Sequence, residues 1–222
     1  MKYYPVFVRV AARPCLVVGG GTVAEQKVES LLKAAAQVTV ISPDLTPRLA
    51  QLAAAGTIAH QQRRYTRGDV HGFLLAYAAT DDDALHAEIA AEARAAGVLV
   101  NIVDRPPLCD FISPAIMERG DLVIATSTSG ASPAMARRIR QDLERRFGVE
   151  YDQGLQLLAR VRHTLAARSV AMAERHRILT ALANSPLIDY LREERWEAVD
   201  RLLATIVGDG VSITSLGLEL RA

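Results

Sequence analysis

Leu16-Val17-Val18-Gly19-Gly20-Gly21-Thr22-Val23-Ala24 is the stretch from which the rest of the chain can be read. A Val-rich apolar run ends in consecutive glycines. Ala24, Val28, Leu31, Leu32 and Ala35 then recur on one face at helical spacing. The order is strand, tight turn, helix. Spelled G-x-G-x-x-A, the pattern is Gly19, Gly21 and Ala24. Gly19 permits the sharp turn, Gly21 lets a pyrophosphate approach the backbone without meeting a Cβ, and Ala24 lets helix and strand pack closely. Free N–H groups at the helix start would face the phosphates. A glycine turn between strand and helix needs no ligand, so this pattern is weak when taken alone.

Its surroundings strengthen it. A second apolar run, Gln37 to Ile41, follows the helix and ends in Ser42-Pro43-Asp44. That places an acid about 20 positions past the glycines, where a ribose-binding carboxylate belongs. Asp44 favours NAD, because a carboxylate repels a 2′-phosphate. Arg48 is close enough to leave NADP open.

Outward from this unit, strand and helix patterns alternate. Upstream, Val6 to Val10 reads as a strand, with a turn at Arg13-Pro14. Downstream come a helix over 47–55 stopped by Gly56, a strand from Ile58 to Tyr65, and a buried strand from Phe73 to Ala79. Thr80-Asp81-Asp82-Asp83 supplies N-cap residues for the next helix, and acids suit the positive end of its dipole. The same loop, Thr80 included, is placed to close over a cofactor, since ligands bind at the carboxyl ends of parallel strands. That helix covers 84–96 and stops at Gly97. Val98 to Val103 is the next strand and ends in Asp104. The economical architecture is α/β, a Rossmann-like, doubly wound and mostly parallel sheet over residues 1–113.

From 114 to 150 the pattern changes. Leu122 to Thr126 reads as a strand, Ser127 to Ser132 as a polar turn, and Ser132-Pro133 as the cap and first residue of a helix over 134–147. That helix carries Arg137, Arg138, Arg140, Arg145 and Arg146 against Asp142 and Glu144. Residues 151–222 read as a helical region, with stretches over 151–168, 170–184 and 187–207. The alternating tail (Val211, Ile213, Leu216, Leu218, Leu220) suits a strand or a disordered end.

Composition narrows the function classes. A net charge of +1 gives no global attraction to nucleic acid or an anionic membrane. No apolar run approaches the roughly 18 residues of a membrane span, and Arg9 and Arg13 interrupt any signal-peptide core. Cys15 and Cys109 lack metal or redox spacing, which points to a reduced, cytoplasmic setting. Cys15 suits a small hydrophobe in a strand. His60, His71, His86, His163 and His176 are scattered, so no resident metal site is expected, and His86 is expected on an exposed helix face.

Taken together, the glycine loop, Asn101-Ile102-Val103-Asp104, Phe111-Ile112-Ser113-Pro114-Ala115 and Ser127-Thr128-Ser129-Gly130-Ala131-Ser132-Pro133-Ala134-Met135-Ala136-Arg137 resemble one family. It is the precorrin-2 dehydrogenase/sirohydrochlorin ferrochelatase family, found as the N-terminal half of siroheme synthases and as stand-alone relatives. Tyr4-Pro5-Val6-Phe7 fits as well. The likeness runs over residues 1–207. The chain ends where siroheme synthases continue into a methyltransferase domain, so that activity is not expected here.

The resemblance implies a homodimer with a Rossmann domain, a dimerisation segment (114–150) and a helical C-terminal region. It implies oxidation of precorrin-2 to sirohydrochlorin with NAD⁺ and, in bifunctional members, insertion of Fe²⁺ as a substrate to give siroheme. The family's catalytic aspartate falls on Asp104. Its cofactor contacts fall on Gly19, Gly21, Thr22, Val23, Ala24, Pro43 and Asp44.

A tetrapyrrole with eight carboxylates needs cations. Arg105, Arg137 and Arg138 are candidates, with Ser127 and Thr128 as hydrogen-bonding partners, because the guanidinium fork matches a carboxylate. Equally, these arginines suit a solvated helix face with i,i+4 pairs, and the serines suit capping. Asp104, at a strand's carboxyl end, is ionised at neutral pH when free and can accept a proton. On spacing alone it also suits a turn before Arg105-Pro106-Pro107.

Overall fold

The computed structural model describes residues 2–219, and the chain divides into two compact units, Met1–Ser113 and Pro114–Ala222. The first is a parallel sheet of β1 (Pro14–Val18), β2 (Gln37–Ile41), β3 (Ala59–Gln61), β4 (Leu75–Ala78) and β5 (Leu99–Ile102), in the order β3-β2-β1-β4-β5. Helices α1 (Thr22–Lys33), α2 (Pro47–Ala54) and α3 (Asp83–Ala95) connect them. Order reverses between β1 and β4, and that is the switch point at which open α/β sheets bind ligands. The register makes the crevice even: Ile41, Val18, Ala78 and Ile102 sit side by side, so all four strands end in one row.

The strands are apolar on both faces because helices cover both. Cys15, Leu16, Val17 and Val18 are buried along β1; Cys15 and Val17 join one core with Ala24 and Val28, Leu16 and Val18 the other with Ile89 and Val100. Each fully buried aliphatic side chain contributes about 1.5–3 kcal/mol, which is why a continuous apolar run is stable only as a central strand.

Several sequence expectations are corrected here. Val6 to Val10 forms no strand: Val6 and Phe7 are 63% and 76% exposed, and no strand pairs with them. The turn falls one step earlier than expected, with Ala12 at φ 55°, and Pro14 opens β1. The strand expected over 58–65 shrinks to Ala59–Gln61, because the Arg63 N–H folds back onto the Gln61 carbonyl and its guanidinium grips Asp69.

The second unit opens with an antiparallel hairpin, β6 (Ala115–Arg119) and β7 (Leu122–Thr126), whose turn uses Gly120 at φ 52°. Sequence periodicity picked out only the second of these strands. Then come α4 (Pro133–Arg146), α5 (Val149–Ala167), α6 (Met172–Ala183), α7 (Leu187–Arg192) and α8 (Trp196–Val207). The single helix expected over 187–207 is broken at Glu194, which takes φ 54°. Over the described residues the tail is neither strand nor disordered: Val211, Ile213 and Leu216 are buried in the core formed by Leu157, Val161, Leu182 and Leu203. Leu220 lies outside the described residues.

Candidate active site

The row of strand ends builds a cleft of about 480 Å³ lined by Val23 of α1, by Ala79, Thr80, Asp81, Asp83 and His86 after β4, and by Val103, Asp104 and Arg105 after β5. Each edge has a local reason for its shape.

At β1 the glycines have different tasks. Gly19 takes φ 115°, and a Cβ there would stand 2.2 Å from the Ala79 carbonyl oxygen, so the turn after β1 lies directly on the end of β4. A Cβ on Gly20 would stand 1.9 Å from the Asp44 carbonyl oxygen, so glycine is required there by packing alone. Gly21 is unlike both. Its backbone (φ −82°, ψ −173°) suits any residue, and an added Cβ meets nothing within 4 Å. Neither strain nor packing asks for glycine at this position. What a side chain would fill is the space at the start of α1.

That start is also uncapped. Thr46, Asp82 and Ser132 cap α2, α3 and α4, accepting from the N–H of Leu49, Leu85 and Met135 respectively. Gly21 offers no side chain, and the first intrahelical bond is Glu25 N–H to Gly21 C=O at 2.9 Å. The N–H groups of Thr22, Val23 and Ala24 are left for an anion. These residues fit the diphosphate of a dinucleotide. The contrast is testable by unfolding in urea. Gly20→Ala should lose about 3 kcal/mol through its backbone clash, whereas Gly21→Ala should stay within about 0.5 kcal/mol of the parent.

At β2, Asp44 follows the buried Ser42, whose hydroxyl donates to the Asp44 carbonyl at 2.7 Å. Asp44 and Pro43 are exposed, and Asp44 makes no ion pair among the described residues. Arg48, the residue that left NADP open, is turned to Glu29 at 3.5 Å.

At β4, the Thr80 hydroxyl lies 3.0 Å from Nε2 of His86. His86 is not on an exposed face as expected. It is 4% exposed, because the N-terminal turn of α3 packs it beneath the cleft. The sequence offered one unused signal: Ile89, Ala90 and Ala93, all buried, share its side of the helix.

At β5, Asp104 is held at φ 58°, a left-handed conformation that aspartate tolerates better than most residues. The loop behind it is pinned by Cys109, whose Sγ donates to the Ile102 carbonyl at 3.1 Å and accepts from the Ile102 N–H at 3.2 Å. Burial pushes the Cys109 thiol pKa up, which suits a neutral structural role. Arg105 is bound to Asp83 through two donors, Nε and Nη2, and this hydrogen bonding holds the Asp83 carboxyl below its usual range.

A further cation was missed in the sequence. Lys27, one turn along α1 from Val23, places Nζ 5.3 Å from the centre of the Tyr77 ring and 3.5 Å from Ser113 Oγ. Burial lowers its pKa, and the Asp104 carboxylate opposes that shift. Helical periodicity gave no hint of it, because a lysine at this spacing reads as solvated surface.

The remaining candidates belong to the second unit. Thr128 Oγ1 accepts from the Ser132 N–H and donates to the Ser132 carbonyl, both at 3.1 Å, so the turn itself uses this hydroxyl. Ser127 Oγ accepts from the Ser129 N–H at 3.0 Å. Arg138 pairs with Asp142 at 3.3 Å, and Arg140 pairs with Glu144. Arg137 has no ion-pair partner among the described residues and is exposed. Among those residues no group of His, Cys, Asp and Glu could hold a metal ion, and no helix is long and apolar enough to cross a membrane.

A glycine turn at the switch point, an uncapped helix, a carboxylate after β2 and a charged cleft define an NAD-binding Rossmann domain. Residues 6–115 match the family model described as putative NAD(P)-binding, and 119–146 match that of the sirohaem biosynthesis protein central region. The chain is similar in sequence to siroheme synthases and in fold to a precorrin-2 dehydrogenase. It is 36% identical over 220 residues to the siroheme synthase of Thioalkalivibrio sulfidiphilus, covering 99% of this chain and 45% of that protein. It is 43% identical over 169 residues to the siroheme synthase of Methylococcus capsulatus, covering 74% and 36%. The chain thus spans less than half the length of these curated relatives. Among solved structures, SirC, a precorrin-2 dehydrogenase, superposes with a TM-score of 0.76 at 26% identity, covering 92% of this chain and 98% of that one.

Proposed function

We propose that this protein oxidises precorrin-2 to sirohydrochlorin using NAD⁺. The observation that carries the proposal is Asp104: a carboxylate held in a left-handed turn at the mouth of the nucleotide cleft, on the strand next to Thr80. Bound NAD⁺ supplies the hydride acceptor. The α1 start receives its diphosphate, and Asp44 receives the adenosine ribose hydroxyls. Asp44 and the engagement of Arg48 by Glu29 together favour NAD⁺ over NADP⁺. Asp104 takes the proton that leaves with the hydride, so the balance is precorrin-2 and NAD⁺ in, sirohydrochlorin, NADH and one proton out. Lys27 interacts electrostatically with that carboxylate, which opposes the lowering of its pKa by burial. Arg105 is the first unit's candidate for a substrate carboxylate; in the second unit the candidates are Ser127, Arg138 and Arg137, the last the least engaged of the arginines.

The proposal extends to Fe²⁺ insertion, with Asp104 accepting pyrrole protons, and to a cytoplasmic homodimer with 114–150 as its dimerisation segment. Exposed Ile116 and Val123 on the hairpin and Met135 on α4 support self-association. Anaerobic incubation with precorrin-2 and NAD⁺ tests the oxidation through the spectrum of sirohydrochlorin. An unchanged spectrum with folded protein would overturn it. Adding Fe²⁺ afterwards tests insertion, and sedimentation tests the dimer.

A further inference from the structure

His86 lies outside the roles assigned so far. It is buried under the cleft, yet it touches two of the cleft's polar groups. Its Nε2 is 3.0 Å from Thr80 Oγ1. Its Nδ1 is 3.7 Å from Asp83 Oδ1, too far for a hydrogen bond, and is buried without a partner among the described residues. An unpaired nitrogen in that position is costly unless its charge distribution suits its neighbour. A lone pair facing the Asp83 carboxylate would be repelled, whereas an N–H facing it is attracted. On the neutral imidazole the single proton therefore belongs on Nδ1. Nε2 is then a bare acceptor, and the Thr80 hydroxyl must donate to it.

This fixes the polarity of Thr80. With its proton turned down to His86, Thr80 presents only oxygen lone pairs to the cleft. Thr80 also stands at the glycine turn, since its Cγ2 would lie 3.5 Å from a Cβ on Gly19. We propose that His86 is a positioning residue that locks Thr80 as a hydrogen-bond acceptor for a hydroxyl or amide N–H of the bound dinucleotide. The inference rests on the dinucleotide reading of the cleft and goes beyond it by assigning a direction to one contact and a cause to that direction. Arg105 takes part only by holding Asp83 in place.

A double-mutant cycle on NAD⁺ affinity, measured by calorimetry, tests it. Thr80→Val removes the acceptor and should weaken binding roughly tenfold. His86→Leu frees the hydroxyl to rotate and should weaken it about fivefold. In the Thr80→Val background, His86→Leu should add nothing, because His86 acts only through Thr80. His86→Gln, whose terminal amide reaches the position of Nε2, should keep affinity within about twofold of the parent; if the leucine variant does not fold, His86→Asn, whose shorter amide does not reach that position, takes its place in the cycle. Losses that multiply across the two sites would overturn the inference and assign His86 a packing role. So would a Thr80→Val variant with parental affinity. In both cases the nucleotide site would stand, because the parent would still bind NAD⁺ and Gly21→Asp would not. A parent that fails to bind NAD⁺ would instead overturn the reading on which the inference rests.

Discussion

Asp104→Asn should lower the rate of precorrin-2 oxidation by about 10²–10⁴-fold, the range for losing a general base, while NAD⁺ affinity stays within about threefold of the parent. The substitution is chosen for its backbone. Asp104 sits at φ 58°, and asparagine accepts this conformation as aspartate does. A β-branched residue there would add strain of roughly 1–3 kcal/mol and confuse lost chemistry with a moved loop. Asparagine keeps the size and the turn and removes only the charge. In the proposed site the diphosphate and ribose of the cofactor lie at the ends of β1 and β2, away from Asp104, so binding should not follow the loss of activity. Lys27 supplies an internal check. Burial already lowers its pKa and the Asp104 carboxylate opposes that, so removing the carboxylate should lower the Lys27 pKa further. Lysine-specific NMR titration would follow it. Near-parental turnover in Asp104→Asn would place the proton elsewhere.

Gly21→Asp should abolish detectable NAD⁺ binding and leave the protein folded. A Cβ at this position meets no protein atom within 4 Å, and φ −82° is open to aspartate. An aspartate N-cap is even favourable for an isolated helix. The loss comes from the ligand side alone. A carboxylate about 4 Å from a phosphate charge is repelled by about 4 kcal/mol at an effective dielectric constant of 20, roughly a thousandfold in affinity before any steric term. Thermal unfolding of the apo protein should be unchanged or slightly raised. Unchanged NAD⁺ affinity would mean that the triple-glycine turn is purely structural.

Much of the first unit was legible from the chain because its signals are local. Val-rich runs, glycine stops at Gly56 and Gly97, and the acidic cap at Asp82 are each set by the few residues around them. What escaped the reading depends on partners distant in sequence. Val6 to Val10 has the alternation of a strand, but strand formation needs an edge to pair with. The hairpin strand Ala115–Arg119 was overlooked although Gly120-Asp121 between two apolar runs marks a turn.

The same division holds in the cleft. The turn at Gly19 was legible through its motif, but Gly20, which lies against the Asp44 carbonyl, has a reason that exists only in three dimensions. His86 looked like a surface residue because the turn of α3 that buries it is also the turn that carries the acids. The surroundings of Lys27 are set by what β4 and the loop after β5 bring to it, which the sequence of α1 does not show.

The most direct test of the central claim is a single anaerobic turnover with equal amounts of protein and precorrin-2 and an excess of NAD⁺, following NADH and sirohydrochlorin together. The proposal requires both to appear at the same rate and in a one-to-one ratio. Bound NAD⁺ with no NADH and unchanged precorrin-2 would contradict it and leave a domain that senses the nucleotide without using it.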